Sequence, residues 1–354
     1  QSTNSAYVIK VTSGPVDFDT CLISFDDSSS ACGGIDLGKE GFNLLNCMFV
    51  RTHSSGSILF SQDGTSTSSS TSKISNCTFE ECTGDNARCF SLTFNQNSDL
   101  TFKDVVVRKM KESGPTGYFG SLTLSNKQNF EINNLTFIEN QCNSLYGGGS
   151  GLLITGTEKI TFIECQFINN IALQTKEQER PKPSSGKSYY NGDGGGFQIG
   201  YSTSYYNVDL LFDKCLFKGN KAFRHGGGVA LQTAKTITFT YCNFEENTAN
   251  SQEKSNLLYD TYYHLKDEGR GGAIYINPTF SNSEQNDQQK DDKLTKIDIN
   301  NCNFLSNAAF DGFAIYIEGD GTDVEFVFKS NKFNDNVKNG NSESDEYAVY
   351  RAVI

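Results

Sequence analysis

Apolar residues recur in this chain at fixed distances around a small residue, and residues 237–247, ITFTYCNFEEN, show the arrangement most clearly. With Cys242 taken as position zero, apolar residues stand at −5, −3, 0 and +2, and an Asn stands at +5. Alternate residues of a strand face the same side. The pattern therefore predicts two short strands, one carrying −5 and −3 and one carrying 0 and +2, joined at a corner and facing one core.

The same pattern returns along the whole chain, at intervals that are mostly 26 to 30 residues. Its zero positions are residues 21, 47, 77, 105, 135, 165, 215, 242, 302 and 331. The copies are weaker in residues 1–129 and regular in residues 130–354. A fixed period in this range is typical of a protein built from stacked units. We therefore expect one continuous domain over residues 1–354.

The rest of each unit predicts a third strand and a second corner. A Gly-rich run leads into an apolar segment, as in residues 271–276, GGAIYI, which indicates the third strand. The Asn at +5 indicates the corner, because Asn tolerates a left-handed φ and hydrogen-bonds to nearby backbone. Three short strands cannot bury a face alone, but rungs stacked about 4.8 Å apart can.

The predicted fold is all-β, a single-stranded parallel β-helix of about ten three-strand rungs. A β-propeller blade needs about 40–50 residues, which is longer than this unit. Stacking places equivalent residues above one another, so we expect an internal ladder of Phe at +2 and a corner ladder of Asn at +5. The predicted Phe ladder consists of Phe79, Phe137, Phe167, Phe217, Phe244, Phe304 and Phe333.

Charge and hydropathy narrow the range of partners. The formal net charge is −12, and Lys and Arg do not cluster, which argues against nucleic acid. No run of about 18 apolar residues exists, so we expect no direct membrane insertion by this segment. The sequence begins at Gln1 and not at Met, and we interpret it as a piece of a longer product.

The cysteines and two sequons bear on the compartment. Most of the eleven cysteines stand at zero positions, where a thiol serves as a small buried apolar group. Cys82 and Cys89 are close enough in sequence to form a disulfide across a short turn. No Cys or His spacing suggests zinc, and we expect no metal or cofactor. Asn76 and Asn134 begin N-glycosylation sequons, which favour an extracellular or cell-surface location.

The repeat resembles a known family pattern. Phe-x-x-Asn, as in residues 244–247, is combined with Gly-Gly-Ala-Ile at residues 271–274. This combination is similar to the repeat of chlamydial polymorphic outer-membrane proteins and of large protist surface proteins. The resemblance implies a right-handed β-helix displayed on a cell surface, often in adhesion. The C-terminal barrel of that family is not in this sequence, and the long insertions are unlike its short rungs.

Three polar insertions interrupt the repeat in its C-terminal half, at residues 174–193, 251–270 and 278–293. Insertions in a solenoid form loops that often carry the binding face. The second insertion contains an aromatic cluster. This cluster consists of Tyr259, Tyr262, Tyr263 and His264. Exposed tyrosines suit contacts with protein or glycan partners, and the alternative is that the cluster packs against its own rungs.

We hypothesise a non-enzymatic extracellular β-helix that binds other protein subunits or glycans and assembles end to end or laterally. The first alternative is a polysaccharide lyase or hydrolase with a divergent site, because many β-helices cleave polysaccharides. Paired carboxylates would be needed, and Asp209 aligns with Thr236 in the next rung, so no catalytic residue is assigned. The second alternative is an intracellular structural scaffold.

Overall fold

A computed structural model shows the chain as an all-β parallel solenoid, with no helix among the residues that it describes. The structure describes residues 6–11, 14–24, 32–38, 40–51, 57–62, 70–84, 88–94, 99–112, 119–142, 151–172, 193–198, 208–231, 234–249, 269–277, 295–318, 324–338 and 349–352. The predicted parallel β-helix is confirmed. Its right-handed sense and the number of about ten rungs stay predictions.

The two strands on either side of the zero position form where the alternating pattern predicts them. The first strands are Val16–Asp19, Phe42–Leu45, Asp209–Asp213, Thr236–Thr240, Thr295–Asn300 and Val324–Lys329. The second strands are Leu22–Ile23, Met48–Val50, Gln166–Ile168, Leu216–Lys218, Asn243–Glu245, Asn303–Leu305 and Lys332–Asn334. Both types run together in Thr71–Glu80 and Asp99–Arg108, while Gly120–Ile138 spans third, first and second strands and Leu152–Ile163 spans third and first.

Third strands form after the Gly-rich runs, and Ala6–Lys10 and Val349–Ala352 form without one. The rungs also contain a further strand pairing that the sequence pattern did not predict. The third strands are Ala6–Lys10, Cys32–Asp36, Ser57–Gln62, Arg88–Phe94, Phe197–Gln198, Val229–Leu231, Ile274–Ile276, Ile315–Glu318 and Val349–Ala352. Two-residue strands lie between the second and third strands, at Thr83–Gly84, Lys111–Glu112, Gln141–Cys142, Ile171–Ala172, Lys221–Ala222, Thr248–Ala249, Ala308–Ala309 and Val337–Lys338. Two residues are too short for a periodic signal, so the pattern could not reveal this pairing.

Parallel pairing keeps equivalent residues in register from rung to rung. Ile237 pairs with Leu210 on one side and with Ile297 on the other. The 60-residue separation of Phe244 and Phe304 does not disturb their pairing. Since a shift by one residue would turn every apolar side chain outward, the inward pattern fixes this register.

The core contains two stacked columns of Phe rings. From Phe137 to Phe333 the rings at +2 stack with centroids 4.8 to 5.8 Å apart. The prediction that Phe79 continues this ladder is wrong, because Val107 lies between Phe79 and Phe137 in the register. A second column at −3 joins Phe162, Phe212 and Phe239, with centroids 4.8 Å apart.

Two corners, one on either side of the second strand, recur from rung to rung, and each contains one residue with a left-handed backbone. At the first corner this residue precedes the zero position, as in Tyr241 with φ of 53°. At the second corner it precedes the Asn, as in Glu246 with φ of 55°. The expectation that Asn247 itself takes the left-handed conformation is therefore wrong. Asn247 turns its side chain into the core and is fully buried.

The buried Asn residues form a continuous hydrogen-bonded ladder, as predicted. The Oδ1 atom of Asn220 accepts hydrogen bonds from the backbone N–H and the Nδ2 of Asn170, each at 3.0 Å. Its Nδ2 donates to the Phe167 carbonyl at 2.7 Å and to Oδ1 of Asn247 at 2.9 Å. Every donor and acceptor of this amide is thus satisfied.

The cysteines at the first corner bond to the preceding rung as the Asn residues do at the second corner. The Cys242 thiol donates to the carbonyl of Phe212 at 3.3 Å. Phe212 stands at position −3 of the preceding rung. Where Asn331 replaces Cys at position zero, its Nδ2 donates to the equivalent Ile299 carbonyl at 2.7 Å. Cys82 stands in turn at an Asn position and lies 4.0 Å from the Phe49 carbonyl. Both corners therefore use an inward polar group to bond the rung before.

The Gly runs allow consecutive rungs to approach closely before each third strand. Gly226 has φ of 64°, a conformation that favours Gly. A Cβ at Gly227 would lie 2.3 Å from the Gly272 carbonyl oxygen, so no side chain fits there.

We expect Asn220→Ala to lower the free energy of unfolding by about 3 kcal/mol, because several buried donors and acceptors lose their partners. Urea denaturation measures this change. Asn303→Ala is the matched control, because Asn303 is exposed and its Nδ2 donates only to Asn243 at 2.8 Å. Its effect should stay within about 0.5 kcal/mol. Equal losses for the two variants would contradict a structural role of the buried ladder.

Candidate interaction surface

The three insertions leave the solenoid at the ends of strands in one sheet. This sheet, called here the glycine sheet, consists of Phe197–Gln198, Val229–Leu231, Ile274–Ile276, Ile315–Glu318 and Val349–Ala352. Residues 174–193 and 251–270 both connect a two-residue strand to the glycine sheet. Residues 278–293 connect the glycine sheet to the next first strand, and they follow the C-terminal end of Ile274–Ile276.

The first two insertions rejoin the solenoid close together. They lead into Phe197–Gln198 and Ile274–Ile276, and only Val229–Leu231 lies between these strands. Two strand spacings amount to about 10 Å. The insertions that are far apart in sequence thus have neighbouring bases.

The outward side chains of the glycine sheet are buried. Gln198, Ala230, Tyr275 and Tyr316 follow one another in register on its outer face. Each is at most 3% exposed. The outward residues of a first strand, such as Thr238 and Thr240, are only half-buried, so the outer face of the glycine sheet differs from that of the first strands.

A polar column runs along the corner that precedes the glycine sheet. It consists of Asp193, His225, Arg270 and Asp311, each directly before a Gly with a left-handed backbone. Backbone bonds join the column, since the N–H of Gly194 donates to the His225 carbonyl and that of Gly226 to the Arg270 carbonyl. The recurrence of a polar residue before the Gly at the start of each of these runs is visible in the sequence, and it is the signal that could have predicted this column.

Asp193 holds this corner through a two-pronged ion pair. Its carboxylate accepts from Nε of Arg224 at 2.9 Å and from a terminal guanidinium nitrogen at 2.6 Å. The carboxylate also accepts from the backbone N–H of His225 at 3.1 Å. Asp193 is almost completely buried. This geometry ties the end of the first insertion to the following turn of the solenoid.

His225 and Arg270 each pack on a tyrosine of the next turn. The His225 ring stacks on Tyr275 with centroids 4.4 Å apart, and the Arg270 guanidinium lies 4.8 Å from the centre of the Tyr316 ring. The Nδ1 atom of His225 accepts from the backbone N–H of Arg270 at 3.4 Å. Burial, and then the nearby Arg224 and Arg270, hold the pKa of His225 well below its usual value. The ring is therefore neutral at neutral pH.

The predicted aromatic cluster of Tyr259, Tyr262, Tyr263 and His264 lies outside the described residues. The structure gives only the anchors of its insertion, Ala249 before it and Arg270 after it. Its role in partner contacts stays a prediction.

The two sequon asparagines lie at first corners. Asn76 and Asn134 are exposed, as the pattern predicts, with φ of 54° and 51°. The Nδ2 of Asn76 donates to Asn46 at 2.8 Å, and that of Asn134 donates to Asp104 at 2.9 Å. Glycosylation at these residues stays a prediction.

Cys82 and Cys89 are both buried in the core. Burial raises the pKa of the Cys89 thiol well above its usual value, and the nearby Cys82 raises it further. The two side chains therefore lie within electrostatic range of each other. The disulfide between them stays a prediction.

The residues considered for catalysis have local partners. Asp209 is in register with Thr236, as the sequence indicates, and accepts a hydrogen bond from its hydroxyl at 2.8 Å. Within the described ranges no group of three or more His, Cys, Asp and Glu side chains could hold a metal ion. The same residues include no helix long and apolar enough to cross a membrane.

No protein-family model, curated protein or solved structure matches the chain. The solenoid fold therefore rests on the chain's own strand pairing. The likeness to polymorphic outer-membrane proteins stays a resemblance between repeats.

A double-mutant cycle measures the ion pair at the corner. We expect Asp193→Ala and Arg224→Ala to show a coupling energy above about 2 kcal/mol, because the pair is largely buried and two-pronged. Arg51 and Glu81 form the matched control, with a 3.0 Å contact but 76% and 37% exposure. Their coupling should stay below about 1 kcal/mol. Similar couplings in urea denaturation would contradict a special role of Asp193.

Proposed function

We propose that this protein is a non-enzymatic, extracellular or cell-surface β-helix that binds protein or glycan partners through its insertions. The observation that carries the proposal is that all three insertions adjoin the glycine sheet, two before its strands and one after a strand. Elsewhere the solenoid repeats one rung, and its inward residues serve packing and corner bonding. The segments that interrupt the repeat are therefore the parts that can give the protein a specific partner.

The solenoid suits a supporting role. Binding residues need a rigid base, and loops held at fixed positions lose less entropy on binding. The Asn ladder and the Phe columns provide such a base directly beneath the insertions. Asp193 and Arg270 fix the points where two insertions rejoin it. The acidic net charge of −12 favours partners other than nucleic acid.

Assembly through the ends is a second part of the proposal. Among the described residues, three large apolar side chains at inward positions are exposed, Ile9 at one end and Phe328 and Val349 at the other. They are in register with the buried Ile35, Ile299 and Ile315. Such grouping is typical of contact surfaces. We propose that a further rung of another subunit covers them.

Replacing residues 174–192 and 251–268 with short Gly-Ser linkers tests the binding proposal. Arrays of acidic and neutral glycans and of purified extracellular proteins serve as probes. We expect the native chain to bind a subset of them, and the linker variant to bind at least tenfold more weakly. The thermal midpoint should change little, because these residues lie outside the repeat.

Replacement of residues 63–69 is the matched control, since this segment connects a third strand to a first strand in the N-terminal half. It should leave binding unchanged. Unaltered binding after removal of the two insertions would contradict the proposal. Turnover of a glycan that Asp209→Ala abolishes would instead support the lyase or hydrolase alternative.

Phe328→Asp tests assembly through the end. Phe328 stands at an inward position but is 38% exposed, so a carboxylate there would be buried at an end contact. We expect sedimentation equilibrium to show self-association of the native chain and at least tenfold weaker association of the variant. Tyr241→Asp is the control, because Tyr241 is 57% exposed at the middle of the solenoid. A monomeric native chain, or equal effects of the two variants, would contradict end contact.

A further inference from the structure

His225 occupies a site that accommodates only a neutral ring. It is almost completely buried, and its ring stacks on Tyr275. Its Nδ1 accepts a hydrogen bond from the Arg270 N–H, which assigns the ring proton to Nε2. A proton added at Nδ1 would remove this acceptor and place a donor against a donor.

The charged groups around the ring oppose a further positive charge. Arg224 precedes it in the chain, and Arg270 faces it from the next turn. The Asp193 carboxylate is already bonded by the Arg224 guanidinium and by the backbone N–H of His225. Tyr275 presents a neutral phenol, and Asp311 bridges to Arg270 through the backbone one turn further on. Among the described residues, no carboxylate is bonded to the imidazole ring.

We infer that His225 is an acid-sensitive latch, and that its protonation opens the corner holding the bases of the insertions at residues 174–193 and 251–270. The opening would separate the ring from Tyr275 and break the backbone bonds of the corner. These bonds run from the Gly226, Gly227 and Gly271 N–H groups to the carbonyls of Arg270, Gly271 and Asp311. The proton comes from solvent and binds the Nδ1 lone pair once Arg270 has moved away.

The direction of the pH effect follows from linkage. The pKa of His225 in the closed corner is well below 6.5, the value of the freely exposed side chain. Above pH about 6.5 both states are neutral, and the closed corner has its full stability. As the pH falls below that value the open state binds a proton that the closed state does not. The opening equilibrium should then rise about tenfold per pH unit.

Amide hydrogen exchange on the isolated full chain, from pH 7.5 to 5.0, measures this opening. Protection factors of Gly226, Gly227 and Gly271, corrected for intrinsic exchange, should fall about tenfold per unit below pH about 6.5. The Phe239 amide, within a buried first strand, should keep its protection. In His225→Gln, whose amide accepts a hydrogen bond but does not titrate, the fall should disappear.

His53→Gln is the matched control for the other histidines and should retain the fall. An equal fall in His225→Gln would assign the effect to carboxylates and overturn the inference. Should that variant fail to fold, the ring of His225 in the native chain is titrated by NMR. Titration at pH about 6.5 with a protected corner would also overturn it. The inference does not depend on the proposed partner binding, since no partner is present in the measurement.

Discussion

The hydrogen bonds at the two corners beside the second strand of each turn are the constraint on which the rest of this solenoid depends. A residue with φ of 51° to 63° bends the chain at each of these two corners, and the parallel ladder is interrupted there. An inward Asn hydrogen-bonds to the backbone there with both the oxygen and the nitrogen of its side-chain amide. It accepts the N–H of the preceding Asn and donates to a carbonyl of the preceding rung, as Asn220 does with Asn170 and Phe167. Each rung thus completes the one before it.

These corner hydrogen bonds explain why Cys and Asn can replace each other at equivalent corner positions, although their side chains differ chemically. A thiol donates to the equivalent carbonyl and fills little space, so Cys242 serves at the first corner and Cys82 at the second. A thiol is a weak acceptor, however, and cannot hold the neighbouring N–H as an amide does. Asn331 bonds both groups where it replaces Cys. Val105 and Leu135 carry neither group and rely on packing alone.

The sequence predicts the inward positions well, because burial imposes a strict period on them. The two strands around Cys242 and the stacking of Phe244 follow from that period. The left-handed residues were harder to place, because Tyr241, Glu246 and Lys214 have no common side-chain chemistry. The surroundings of His225 could not be inferred either, since Tyr275 reaches it from a strand that is distant in sequence. The residues of the predicted aromatic cluster lie outside the described part of the chain.

The corner bonds also decide where the chain can vary. An insertion between the first and second strands would separate the left-handed residue from its inward Asn or Cys, and the neighbouring rung would lose a partner. An insertion beside the glycine sheet leaves both bonded corners intact, so Asn220, Asn247 and Asn307 stay in one ladder although 60 residues separate the last two. The chain must then be anchored again where each insertion rejoins the solenoid. Asp193 anchors the first insertion, and the backbone of Arg270 anchors the second. The insertions and the contacts that anchor them therefore lie at the same strand ends, where the neutral His225 connects the bases of two insertions.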